Sequence, residues 1–152
     1  MRTCSPGAPT VYETVEPSGV NSTAFQYQLG QRDSYVHVAL RGRPSLEGVV
    51  EMFGELERLT SKDGELRVLI DERELKAVLL SPTELRAMIN ALKSSPGLRH
   101  RSRIAIYAPS NIVYGMNRMA QAFAGDEWED RLGVFRTEDA AEDWLLLGHR
   151  QA

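Results

Sequence analysis

The chain is short of the residues that usually carry chemistry. Of its 152 residues one is a cysteine, Cys4, so an internal disulfide and a cysteine-rich metal site are both excluded. The three histidines, His37, His100 and His149, are scattered, and none stands four residues from another histidine or from the cysteine. No zinc-binding helix pattern results, and no metal site is expected. The glycines are isolated: neither GxGxxG nor GxxxxGK[ST] occurs, and the GxSxG nucleophile turn is missing. No cofactor is expected. Basic excess is also lacking, since the formal net charge is −3, which argues against nucleic acid as a partner. No apolar run approaches the ~18 residues of a membrane span. The opening MRTCSPGAPT has no signal-peptide core, so the expected address is the cytoplasm.

What is present is the patterning of one α/β domain. Folding at this length buries roughly 70% of the surface of the unfolded chain, enough for a core without staples. Met1–Pro9, with two prolines and a glycine, is expected to be a flexible lead-in to a domain over residues 10–150. Thr10–Glu16 alternates and stops at Pro17-Ser18-Gly19. Phe25, Tyr27 and Leu29 mark a second strand, and Gly30–Asp33 turns into a third over Tyr35–Arg41.

Pro44-Ser45 opens a first helix with the apolar stripe Leu46, Val49, Val50, Phe53 and Leu56, and Gly64 is its expected stop. Arg67–Asp71 reads as a central strand and Glu72–Leu80 as a connector, partly helical. Ser81-Pro82-Thr83-Glu84 carries a helix start: a cap, a proline at the first helical position and an acid at the third. Leu85, Met88, Ile89 and Leu92 follow at helical spacing, and Ser94–Gly97 ends the run.

Arg103–Ala108 then reads as a buried strand stopped by Pro109. Ser110 or Asn111 caps a helix whose Ile112, Met116, Met119 and Phe123 recur at helical spacing. An acidic loop, Asp126–Asp130, precedes a last strand, Leu132–Arg136. Thr137 caps a final helix with Ala141, Trp144 and Leu145 inside. The expectation is a mixed sheet of about six strands with about four helices, joined by right-handed crossovers. Ile104, Ile106 and Val68 should lie in neighbouring buried strands.

Four stretches carry a family resemblance: VHVALRGRPSLEGVVEMFGELE, RVLIDERE, RIAIYAPSNIVYGMNRMAQAF and GVFRTEDAAEDWL. Over Tyr35–Leu147 the chain resembles the STAS-like domains and, within them, the SpoIIAA-like group. A strand, a polar turn and a Tyr-Gly-x-x-Arg-Met-like helix recur in that group, here as Tyr114-Gly115 and Arg118-Met119. The resemblance implies a non-enzymatic regulatory or protein-interaction module. The same fold level embraces CRAL-TRIO-type lipid-binding domains, which makes a small-molecule or lipid binder the alternative and an enzyme the least favoured class. The partner would be an unidentified protein, a second copy of the chain, or a small anionic or apolar ligand.

In anti-sigma-factor antagonists the resemblance places a phosphorylatable serine at the helix after the central strand, which here is Ser81. The Asp-Ser-Ser/Thr-Gly signature is absent, because the chain reads Leu80-Ser81-Pro82-Thr83, and capping accounts for the residue. A ligand is expected instead near the Pro109–Tyr114 turn, where a strand end meets a helix N-terminus. Ser110, Asn111, Tyr114 and Arg118 are the candidate binding residues, with Arg118 holding a carboxylate or phosphate. His37 is expected to face solvent, and the basic run Arg99–Arg103 to be a solvated loop. Trp128 is either a contact residue or folded over the core.

Overall fold

Six apolar-patterned segments line up in one sheet in chain order. The computed structural model describes residues 11–13, 24–76 and 79–147. The strands are β1 (Val11–Glu13), β2 (Gln26–Gln31), β3 (Val36–Gly42), β4 (Leu66–Leu75), β5 (Ser102–Tyr107) and β6 (Leu132–Phe135). β1 pairs antiparallel with β2, and β2 pairs antiparallel with β3 across a short turn. β3, β4, β5 and β6 pair parallel, as strands joined by helical crossovers must. The crossovers are α1 (Leu46–Glu57), α2 (Pro82–Lys93) with α3 (Pro96–Arg101), and α4 (Asn111–Ala124); α5 (Glu138–Leu147) follows β6.

The two faces are covered unequally. α1, α2 and α4 pack on one face over Val38, Val68, Ile70, Ile104 and Ile106. Among the described residues α5 alone covers the other face, with Ala141, Trp144 and Leu145 against Tyr35, Leu69 and Ala105. Val68 pairs with Ile104 and Ile70 with Ile106, all four buried, as the apolar runs predict. The expected caps are in place. Ser45, Ser81 and Ser110 each accept a backbone N–H of their own helix, and Ser81 with Glu84 forms a full capping box. Thr137 Oγ1 accepts from the Ala140 amide at the start of α5.

Several expectations need correcting. Pro96–Arg101 coils into a short helix where the basic run was expected to be a solvated loop, which gives five α-helices among the described residues, close to the expected four. Its free amides find a distant partner: the Glu57 carboxylate accepts from Gly97 N at 2.7 Å and Leu98 N at 2.9 Å. A Cβ on Gly97 would collide with Thr60 and Glu57, so this approach requires glycine. Arg99 from this helix pairs with Glu127 at 2.8 Å, joining the basic run to the acidic loop. That loop is a 3-10 turn over Asp126–Trp128, and Trp128 is wholly buried.

β4 runs on to Leu75, taking in residues expected in a connector, because β3 continues alongside to pair with them. α1 ends at Glu57, well before Gly64, and buries Met52 while Leu46 and Val50 stay exposed. α4 is rotated from the expected stripe. Val113, Met116, Ala120 and Ala124 face the sheet, whereas Ile112 and Met119 face outward. Only a small-residue face lets this helix lie close, and Ala120 and Ala124 supply it. The lead-in Met1–Pro9, the turn at Pro17-Ser18-Gly19 and His149 lie outside the described residues. Among the described residues no helix is long and apolar enough to cross a membrane.

Candidate functional site

The pairing of β3 with β4 slips by one residue at its end. Ala39 faces Asp71 and Arg41 faces Glu74, so Leu40 stands opposite two residues, Glu72 and Arg73. Such a bulge re-aims side chains and is common beside binding sites. Here Glu72 and Leu75 both come to the face covered by α1, α2 and α4.

Glu72 is therefore an acid inside an apolar layer, 7% exposed. Asn117 on α4 meets it: Asn117 Nδ2 donates to Glu72 Oε1 at 2.6 Å and to the Val113 carbonyl at 2.9 Å. Burial pushes the Glu72 carboxyl up to about 7; the Asn117 bond opposes the rise and the negative Asp71 adds to it. Among the described residues no cation pairs with Glu72. A buried acid without a cation is costly to fold and calls for a reason.

Beside it lies a cavity of about 100 Å³ between the sheet and the helices. Phe53 of α1, Leu85 and Met88 of α2, Met116 of α4, and Ile70 and Ile106 of the sheet supply much of its wall. Glu72 and Asn117 are its two polar side chains. An apolar cavity of ~150 Å³ holds a benzene-sized molecule, so this smaller, partly open one suits a short chain or a small ring that reaches its mouth. A mostly apolar wall with one convergent polar spot is the usual form of a small-molecule site.

The opposite face carries a polar network under α5. His37 Nε2 donates to Asp71 Oδ2 at 3.1 Å, since an ionised carboxylate only accepts. Arg73 grips both Asp71 oxygens and reaches Glu138 Oε1 at 3.1 Å. Its guanidinium also stacks 5.3 Å from the centre of the Tyr107 ring. Burial alone would raise the Asp71 carboxyl, but the bonds from His37 and Arg73 outweigh it and hold it well below the usual carboxylate range. Tyr35 donates to Glu142 at 2.7 Å; burial, and then this bond, push its hydroxyl up to about 12. His37 is thus a half-buried, bonded residue and not the solvent-facing one expected.

His37, Asp71 and Glu138 bring three ligand-type atoms within 4.8 Å of one another. The Arg73 guanidinium already bridges Asp71 and Glu138, so the positive charge this cluster needs is supplied by the chain itself. Its chemistry is that of a clamp from β4 to the start of α5.

The residues singled out at the Pro109–Tyr114 turn are engaged with one another. Ser110 caps α4 through Val113 N, and Asn111 Oδ1 accepts from Arg136 at 2.6 Å. Arg136 also binds the Pro109 carbonyl and stacks on Tyr114. Arg118 is exposed, bonds the Tyr114 hydroxyl at 3.4 Å, and lines an open groove along β6 with Gln121 and Asp126. The apolar cavity opens on the other side of α4, at Met116, Asn117 and Ala120. Sequence reading missed Glu72 and Asn117. The alternation Val68, Ile70, Glu72 was the available signal, since it places the acid on the core face.

The family model described as SpoIIAA-like matches residues 35–146. Among solved structures the chain is similar to an anti-sigma factor antagonist from Mycobacterium paratuberculosis, with 11% identity and a TM-score of 0.51 over 87% of this chain and 99% of that one. It is also similar to an uncharacterised protein with a SpoIIAA-like fold from Shewanella loihica, with 22% identity and a TM-score of 0.49 over 94% of this chain and 99% of that one. No curated protein matches the chain.

Proposed function

The chain belongs to the SpoIIAA-like family, and from that premise we propose that it is a non-enzymatic regulatory module whose input is a small apolar molecule. The observation that carries this reading is the cavity between the sheet and α1, α2 and α4, with its single polar spot at Glu72 and Asn117. A flat apolar patch would have favoured a purely protein-binding module, and a concave apolar cavity favours the binder. The likeness in fold to an anti-sigma factor antagonist supports a regulatory role over a catalytic one. Occupancy would change how α2 and α4 pack on the sheet, and a protein partner would read that change. Ser81 acts as a helix cap in this reading, and the Pro109–Tyr114 turn positions α4 through Arg136.

Native mass spectrometry of the purified protein tests the proposal. The parent chain should carry small molecules of defined mass that are lost on collisional activation. Ala120→Phe, which fills the cavity from α4, should be isolated without them. Bare sequence masses for both proteins, even after exposure to apolar small molecules, would count against the reading.

A further inference from the structure

We propose that the cavity selects an apolar molecule bearing one protonated amine and turns away the carboxylic acid of the same length. The inference rests on the cavity being a binding site and concerns the headgroup it takes. Its basis is the hydrogen-bond inventory at the polar spot. Asn117 Nδ2 is committed to Glu72 Oε1 and to the Val113 carbonyl. Both partners are acceptors, so the nitrogen must sit on that side and the amide cannot be reversed. That leaves Glu72 Oε2 and Asn117 Oδ1, neither of which has a hydrogen-bond partner among the described residues. An ionised Glu72 can only accept, and so can Asn117 Oδ1. The open valences therefore ask for a donor.

Charge points the same way. Among the described residues Glu72 has no cationic partner, and the negative Asp71 acts on it. The fold has already buried most of this carboxyl, so that part of the desolvation cost is not charged again when a ligand arrives. An ammonium group entering the cavity would complete the missing ion pair and donate to both free oxygens, while its alkyl or aryl part filled the apolar wall. A carboxylate would meet a like charge and two acceptors in a low-dielectric site.

Calorimetric titration of the full chain with hexylamine, hexanol and hexanoate at pH 8 tests this. Parent, Glu72→Gln and Ala120→Phe proteins are compared, each checked for folding by circular dichroism. The amine should bind the parent at least about tenfold more tightly than hexanoate, the size of effect one unrepaid charge contact gives. Glu72→Gln keeps the shape and removes the charge, so it should bring amine and hexanol within about twofold of each other while hexanol still binds. Hexanoate binding as tightly as the amine, or an amine preference that survives Glu72→Gln, would overturn the headgroup assignment. If hexanol and hexanoate bind the parent as tightly as the amine does, and none of the three binds Ala120→Phe, the cavity reading stands and the amine selection alone falls. If none of the three binds the parent, the cavity reading falls and the headgroup assignment falls with it.

Discussion

Asn117 on α4 donates to Glu72 on β4 across 2.6 Å, a polar tie inside an otherwise apolar layer. The tie joins the helix whose small-residue face lies on the sheet to the strand whose alternation carries the acid inward beside the bulge. It satisfies one carboxylate oxygen and leaves the charge without a counterion, and the pH behaviour of the fold follows from that.

Stability should fall as pH rises through the weakly acidic range. The Glu72 carboxyl titrates near its ordinary 4.5 when unfolded and at about 7 in the fold. Between these values the folded state holds a proton that the unfolded state has lost, so each step up in pH disfavours folding, and the effect levels off above pH 7. The full span is ~3 kcal/mol, at 1.36 kcal/mol per pK unit. Glu72→Gln should flatten the slope in denaturant titrations at pH 5 to 8 and exceed the parent in stability at pH 8. An unchanged slope would place the titrating group elsewhere.

Asp71 should behave in the opposite sense. Its carboxyl is held below its ordinary 3.8, so its stabilisation is complete above that pH and is lost only as pH falls further. Asp71→Asn should cost ~1.5–3 kcal/mol at pH 7, the range for hydrogen bonds to a charged group. The gap between parent and variant should close only below about pH 4. Equal stability at pH 7 would show that the clamp to His37 and Arg73 holds nothing.

The central strands make a simpler demand. Ile106, 8% exposed and paired with Ile70, lies under the helices. Ile106→Ala should cost ~2–5 kcal/mol by enlarging the space beside it. A loss under about 1 kcal/mol would mean the layer collapses onto the gap.

Ser81 should act as a cap and nothing more. Ser81→Ala should lower stability by ~1 kcal/mol, because the Glu84 amide loses its acceptor, while Ser81→Asp should leave it nearly unchanged. Stoichiometric phosphate on Ser81 in protein isolated from cells would contradict this.

Much of the fold was legible because local patterns agreed with it. The serine caps at Ser45, Ser81 and Ser110 and the short apolar runs around Val68 and Ile104 name their elements directly. What escaped depends on contacts distant in sequence. α3 forms because Glu57 reaches its amides, and β4 extends because β3 is there to pair with. The rotation of α4 escaped for a different reason: Ile112 and Met119 outweigh Ala120 and Ala124 in any hydrophobic tally, yet close packing prefers the smaller side chains. The site was the least legible part. Glu72 and Asn117 are 45 residues apart, and neither belongs to a motif. His37 and Asp71 likewise meet only because their strands are neighbours.

The central claim is that the space beside Glu72 is a binding cavity, and methyl NMR during a titration with toluene tests it most directly. Toluene is neutral and apolar, so the result does not depend on the headgroup. The account predicts saturable shifts confined to the methyls of Leu85, Ile89, Ile104, Ile106 and Leu132, and their loss in Ala120→Phe. Shifts that never saturate, or that fall only on exposed Leu46, Ile112 and Leu147, would contradict it.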